Sequence, residues 1–304
     1  MADFVSTMTD TSSITISNSD GTPPFDATLH LKTPPMSDEH KLLSESVLAT
    51  LRGEHAELFT MHEQWLTADD QVSRFLIARS HTPKPAMELL LEALKWRTLR
   101  RPDRVIDEEM WEWLSQEGET GKIYLPGSDR WGRPVVVFDN SVQNTRDEDK
   151  HMDFLGWSLE MATKMMPPQV DKYVVFVHLN TFSIFNAPGI KSTLETLQML
   201  SRCFPERMGH CVAFCPPLYF YVVWESVKGF LDPKTVSKVV FITGDVSEGS
   251  KNDIQLKTII GDDWKKICGA GQSQVPGNSP GFDHSDYWPK LKGRVEGLRV
   301  APTI

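Results

Sequence analysis

After Gly121 the hydrophobic pattern of this 304-residue chain changes period. Upstream, apolar residues recur at helical spacing. Downstream, the short apolar runs KIYL (122–125), PVVVFD (134–139), YVVFVHL (173–179), CVAF (211–214) and SKVVFIT (237–243) read as strands. Helical spacing fills the stretches near 149–165, 188–202 and 217–230. The run from Tyr173 to Leu179 is apolar almost without interruption, as a strand buried on both faces of a parallel sheet must be. Strands alternating with helices therefore predict an α/β fold with a mostly parallel sheet.

The first 36 residues are rich in Ser, Thr and Pro, show no sustained period and read as a disordered leader. From Ser37 to about residue 120 the pattern is that of a helical lobe. Ser37-Asp38 caps a segment with Leu42, Leu43, Val47, Leu48 and Leu51 at core spacing. Thr67 and Asp70 approximate a capping box before a run in which Val72, Phe75, Leu76 and Arg79 share a face. Pro83 and Pro85 open a helix striped by Met87, Leu90, Leu91, Leu94 and Trp96. Its last turn and exit carry Arg97, Arg100, Arg101 and Arg104, either complementing the helix dipole or facing a membrane or partner. From about Gly269 the chain turns Gly/Pro-rich, and residues 271–304 read as a C-terminal tail.

Composition narrows the function. A net charge of −9 lacks the basic footprint of a nucleic-acid binder and disfavours permanent attachment to anionic membranes. No apolar run reaches the length of a bilayer span, and MADFVSTMTD lacks the basic start of a secretory signal. The four cysteines form no Cys-x-x-Cys pair and read as reduced cytosolic thiols. Gly269-Ala270-Gly271 is half of a dinucleotide loop, with Gln274 where a third Gly belongs. There is no phosphate-binding G-x-x-x-x-G-K-[ST] and no G-x-S-x-G elbow. The histidines form no metal-ligand spacing, and His178 stands alone in an apolar strand. No metal, cofactor or catalytic set is expected.

What remains is FPERMGHCVAFCPPLYFYVVWESVKGFLDPKTVSKVVFITGD (204–245). Charged turns flank an oily helix within it, which suits a ligand with a polar head and a long apolar tail. Arg79, Glu206, Thr235 and Lys238 are the candidate head-group residues; taken alone, each reads as an ordinary surface or helix-end group.

The chain here resembles the CRAL-TRIO lipid-binding family. RFLIAR (74–79) with ALKWR (93–97) is similar to its N-terminal helices, and DRWGRPVVVFD (129–139) to its first long strand. FPERMGHCVAF and FLDPKTVSKVVFITG resemble the phosphatidylinositol/phosphatidylcholine transfer branch. The resemblance covers residues 40–270, with the lipid-binding domain at 121–270. It implies a small, mostly parallel sheet flooring an apolar pocket. It also implies a gate helix at Leu218 to Phe230, greased by Tyr219, Phe220, Tyr221, Val223, Trp224 and Val227. Thr235 and Lys238 would grip the lipid phosphate, Glu206 would accept from inositol hydroxyls or hold a basic partner, and Arg79 would add charge. Ser80 stands where the family often has Lys. The branch holds phosphatidylcholine with Ser and Thr on the strand matched by residues 173–179, which contains neither. Tyr173, Val175 and His178 are then candidate contacts to a second ligand.

Taking a two-chain lipid into water exposes some thirty methylenes, on the order of 24 kcal/mol. The carrier must match most of that by burial, so discrimination falls to head-group contacts. The reading is a cytoplasmic, transiently membrane-associated, non-enzymatic carrier. It binds phosphatidylinositol, exchanges it with a second hydrophobic ligand and presents it to lipid kinases. The alternatives are a carrier of a sterol, retinoid or tocopherol type of ligand, and a protein-interaction module with a vestigial pocket.

Overall fold

The computed structural model describes residues 31–33, 35–68, 71–104, 106–180 and 190–300. Most of the leader and the Asp70 end of the capping box lie outside these. The helical lobe comprises α1 (Asp38–Glu54), α2 (Ala56–Thr67), α3 (Gln71–Ile77), α4 (Pro83–Arg100) and α5 (Glu108–Glu117). Ser37 caps α1 by accepting from the His40 amide at 3.3 Å. Val47, Leu51, Val72, Phe75, Leu76, Leu90 and Leu94 form its buried core. Arg79 falls beyond the end of α3, where Ser80 and His81 turn the chain with φ of 48° and 57°. It therefore does not continue the buried face of Val72, Phe75 and Leu76.

The sheet follows: β1 (Ile123–Ser128), β2 (Pro134–Phe138), β3 (Tyr173–His178), β4 (Met208–Phe214) and β5 (Val239–Ile242), in sheet order β1-β2-β3-β4-β5. β1 pairs antiparallel with β2, and every later pair is parallel. The crossovers carry α6 (Glu148–Lys164), α7 (Ile190–Gln198) with a π-helical turn Met199–Cys203, and α8 (Phe220–Lys228) with α9 (Pro233–Val236). Val135, Val136, Val137, Val174 and Phe176 are fully buried, as the apolar runs require. The predicted α/β class holds.

Strand alternation divides the sheet into two faces. Phe176, His178, Val212 and Phe214 point toward the buried Trp264 side, covered by α10 (Lys251–Ile259) and α11 (Trp264–Ile267). Val175, Val177, Cys211, Ala213 and Phe241 share the other face, toward α8. Arg133, wholly buried, ties the β1–β2 turn to the end of α10. Its Nε donates to Asp129 at 2.6 Å and a terminal nitrogen donates to the Ile259 carbonyl at 2.6 Å.

Two sequence expectations need correction. The tail is not loop-like throughout: α12 (His284–Val300) buries Trp288, Leu291 and Val295 against the main core. Its interior Pro289 and many charges hide the helical period, and packing decides the outcome. A Cβ at Gly269 would sit 1.9 Å from the Pro280 carbonyl, so this glycine permits backbone approach within that returning segment. The end of the leader is docked: the Asp171 amide donates to the Leu31 carbonyl, and the Thr33 amide to the Asp171 carboxylate, both at 2.9 Å. Within the arginine run, Arg97 is buried against Glu160 at 3.0 Å and Arg100 pairs with Asp149 at 2.7 Å.

Candidate functional site

Parallel pairing assembles the site. Residues 171–172, 206–207 and 235–238 each lie just before a strand, and those strands are β3, β4 and β5, adjacent and parallel. Three turns far apart in sequence therefore meet at one end of the sheet. Backbone bonds fix them: the Tyr173 amide donates to the Arg207 carbonyl at 2.8 Å, and the Cys211 amide to the Lys238 carbonyl at 2.9 Å.

Asp232 caps α9 by accepting from the Lys234 amide at 2.8 Å, and Pro233 starts its first turn. Thr235 lies half-buried in that turn, and the Lys238 amide donates to its carbonyl at 3.2 Å. The Lys238 side chain is half-buried and has no hydrogen-bond partner among the described residues. Burial lowers its pKa, while nearby Glu206 opposes the shift.

Glu206 follows the π-helical turn and adopts φ of 57°, the left-handed region that a non-glycine residue enters only under constraint. Its carboxylate accepts from the Lys234 ammonium at 3.0 Å, and its backbone carbonyl accepts from the Lys172 ammonium at 2.6 Å. Lys172 is buried, pairs with Asp171 at 3.2 Å and donates to the Thr33 hydroxyl at 2.7 Å. Burial brings its pKa down to about 8 despite Asp171. Arg74 of α3 completes the chain of charges, donating to Asp171 at 3.0 Å. Burial works against the Asp171 carboxylate, yet Lys172 and Arg74 hold its pKa at about 2.

Glu206, Thr235 and Lys238 are thus brought together. Arg79 is not joined to them among the described residues; it donates to the Ala78 carbonyl at 3.0 Å within its own turn. Arg74, Asp171, Lys172 and Lys234 are the members that sequence reading missed. Their signal was positional, since Asp171 and Lys172 immediately precede a parallel strand neighbouring the one after Glu206.

The candidate second-ligand contacts separate. Val175 faces the α8 side, as does Tyr173 by alternation, and the fully buried Tyr173 hydroxyl has no hydrogen-bond partner among the described residues. His178 faces the opposite way. Its Nε2–H donates to the Cys268 carbonyl at 2.7 Å, between the rings of Phe176 and Phe214. It is a core histidine, removed from the α8 face by the two-residue period of the strand.

Above that face, Phe220, Tyr221 and Trp224 of α8 surround Phe241 with ring centroids 5.3–6.4 Å away. Val227 is the one buried residue of α8. Tyr219, Leu218, Val222 and Phe230 are exposed, and Val223 is half-buried. Beneath, Val177, Cys211, Val239 and Phe241 are only half-buried, unlike the dry strands beside them. Apolar surface left open on both sides of a helix–sheet contact is what an apolar ligand would cover.

Residues 118–260 match the family model of the CRAL/TRIO domain. The phosphatidylinositol transfer protein PDR17 of Saccharomyces cerevisiae is 26% identical over 281 residues, spanning 86% of this chain and 73% of that protein. A CRAL-TRIO domain-containing protein of Schizosaccharomyces pombe is 27% identical over 199 residues, 66% of this chain but 19% of its own length. Patellin-4 of Arabidopsis thaliana is 29% identical over 180 residues, covering 55% of this chain and 32% of that protein. The crystal structure of Sfh5 superposes with a TM-score of 0.55 at 12% identity, covering 87% of this chain and 100% of the other, a likeness of fold. Among the described residues no helix is long and apolar enough to cross a membrane.

Proposed function

We propose that this protein binds phosphatidylinositol, with the head group at the Glu206–Thr235–Lys238 end of the sheet and the acyl chains between the sheet and α8. The observation that carries the reading is Lys238. A half-buried ammonium without a hydrogen-bond partner among the described residues, beside a paired carboxylate and next to open apolar surface, suits a phosphodiester whose tails need burial. Thr235 supplies a short hydroxyl donor within the same turn. The Glu206 carboxylate, steadied by Lys234, suits inositol hydroxyls. The charge cluster serves recognition; chemistry on the lipid falls to other enzymes such as lipid kinases. The protein would work in the cytoplasm and visit membranes transiently.

The second ligand would be less polar. Val175 offers no donor, and strand 173–179 holds no Ser or Thr, which favours a flat sterol-like molecule over a choline lipid. The test is transfer of labelled phosphatidylinositol between vesicles. Lys238→Ala should reduce the rate at least tenfold, about 1.4 kcal/mol, in protein that remains folded. Undiminished transfer by that variant removes the assignment. Mass spectrometry of lipid carried through purification from the host identifies the partner ligand.

A further inference from the structure

We infer that Lys172, braced by Asp171 and by the segment Leu31–Thr33, is a positioning residue for the head-group site, acting through the backbone of Glu206. The inference rests on the phosphatidylinositol reading above. It assigns the buried lysine a role distinct from that of Lys238.

Two lysines stand at this end of the sheet, and their surroundings differ. The Lys172 ammonium donates to the Glu206 carbonyl at 2.6 Å and to the Thr33 hydroxyl at 2.7 Å, and its charge is met by the Asp171 carboxylate in an ion pair at 3.2 Å. Two of its three N–H groups are thus committed within the protein and its charge is already met by Asp171, which leaves it little to offer a ligand phosphate. Lys238 has no such partners among the described residues. The lysine that binds is the one left open, and the one engaged within the protein sets geometry.

The geometry concerns one residue. Glu206 holds φ of 57°, a conformation that persists in a non-glycine residue only where its surroundings over-determine it. Lys172 grips the carbonyl of that residue. The grip is anchored on both sides: Asp171 is fixed by Arg74 of the helical lobe at 3.0 Å, and the Thr33 amide closes on Asp171 at 2.9 Å. The Asp171 amide donates to the Leu31 carbonyl at 2.9 Å, and Lys32 donates to the Pro168 carbonyl at 2.6 Å. The end of the serine- and threonine-rich leader thereby becomes part of the brace. Glu206 can then present its carboxylate to Lys234 and to the ligand without searching conformations.

A double-mutant cycle separates positioning from general stability. Transfer of labelled phosphatidylinositol between vesicles is measured for Lys172→Met, Glu206→Gln and the pair, with Thr33→Val as a gentler variant that keeps every charge. Lys172→Met should lower transfer about tenfold and Thr33→Val two- to threefold. On the Glu206→Gln background neither should lower it further, and Lys172→Arg should restore part of the loss. Equal losses on both backgrounds, or no loss from Lys172→Met and Thr33→Val, overturn the inference. Should Lys172→Met fail to fold, Thr33→Val with and without Glu206→Gln decides alone. Full transfer by both Glu206→Gln and Lys238→Ala overturns the head-group reading itself; loss in those with none in the Lys172 and Thr33 variants overturns the positioning role only.

Discussion

The centre of the sheet and its β5 edge are written in the same apolar residues and packed differently. In β2 and β3, Val135, Val136, Val137, Val174 and Phe176 have no exposed surface. At the other edge, Val239, Val240 and Phe241 stay half-buried, and α8 with its flanking residues leaves Leu218 79%, Val222 63% and Phe230 72% exposed. Natural interiors are close-packed, so apolar surface left open inside a fold is more than poor packing. The centre is closed, and the edge leaves apolar surface that the proposed ligand would cover.

The sharpest test of that contrast is stability. Phe176→Ala opens a cavity in the dry centre and should cost about 3–5 kcal/mol. Trp224→Ala on α8, whose ring meets only the half-buried Phe241 at 5.5 Å among the described aromatic contacts, should cost about 1 kcal/mol or less in ligand-free protein. Chemical denaturation of both variants gives the comparison. Equal losses would make the α8 corner ordinary core.

A third kind of region, the strand-entry end, is stitched by charge. Asp171 is ionised down to about pH 2 in the fold, against an ordinary value of 3.8. A depressed carboxyl pKa adds stability that is present above the ordinary value and lost as pH falls through the depressed one. The shift corresponds to about 2 kcal/mol. Asp171→Asn should therefore be less stable than the parent at pH 5, with the gap narrowing as pH falls from about 4 to 2. A gap independent of pH would show that Asp171 contributes through hydrogen bonds alone.

The sequence made the centre legible because unbroken apolar runs leave few options. The strands at 134–139, 173–179 and 211–214 are where their patterns put them. The meeting of Glu206, Thr235 and Lys238 at one end of the sheet was legible through their motif. Arg74, Asp171 and Lys172 were not, because their role depends on which strands lie side by side, and a charged pair before a strand looks like any solvated turn. α12 escaped because Pro289 and its exposed lysines mask a helix held by Trp288, Leu291 and Val295. His178 was misplaced for a simpler reason: strand period puts it one residue out of phase with Val175 and Val177, and only the fold shows which phase faces α8.

That phase bears on lipid choice. With His178 bound to the Cys268 carbonyl on the far face, Tyr173 is the remaining hydroxyl on the strand. A choline-lipid phosphate buried without donors would lose several kcal/mol, and one phenol recovers part of it. Phosphatidylcholine should therefore be transferred at least tenfold more slowly than phosphatidylinositol in a side-by-side vesicle assay. Comparable rates would point to Tyr173, whose replacement by Phe should then abolish the choline-lipid component alone.

The smallest expected effect concerns motion at the open edge. If α8 moves to admit a ligand, its local opening lies at the low end of the stability range, because Val227 is its single buried residue. Contact with a bilayer gives Leu218, Val222 and Phe230 an apolar surrounding that water denies them, which stabilises the opened arrangement. Amide exchange across 220–228 should quicken severalfold when phosphatidylinositol vesicles are added, a change of about 1 kcal/mol in opening free energy. Exchange in β2 and β3 should stay unchanged, since those strands open only with the whole fold. Uniform acceleration in both regions would indicate global loosening on the vesicle surface. Unchanged exchange at α8 in protein that transfers lipid would mean that the ligand enters by another route, leaving the exposed apolar residues to dock the membrane without opening.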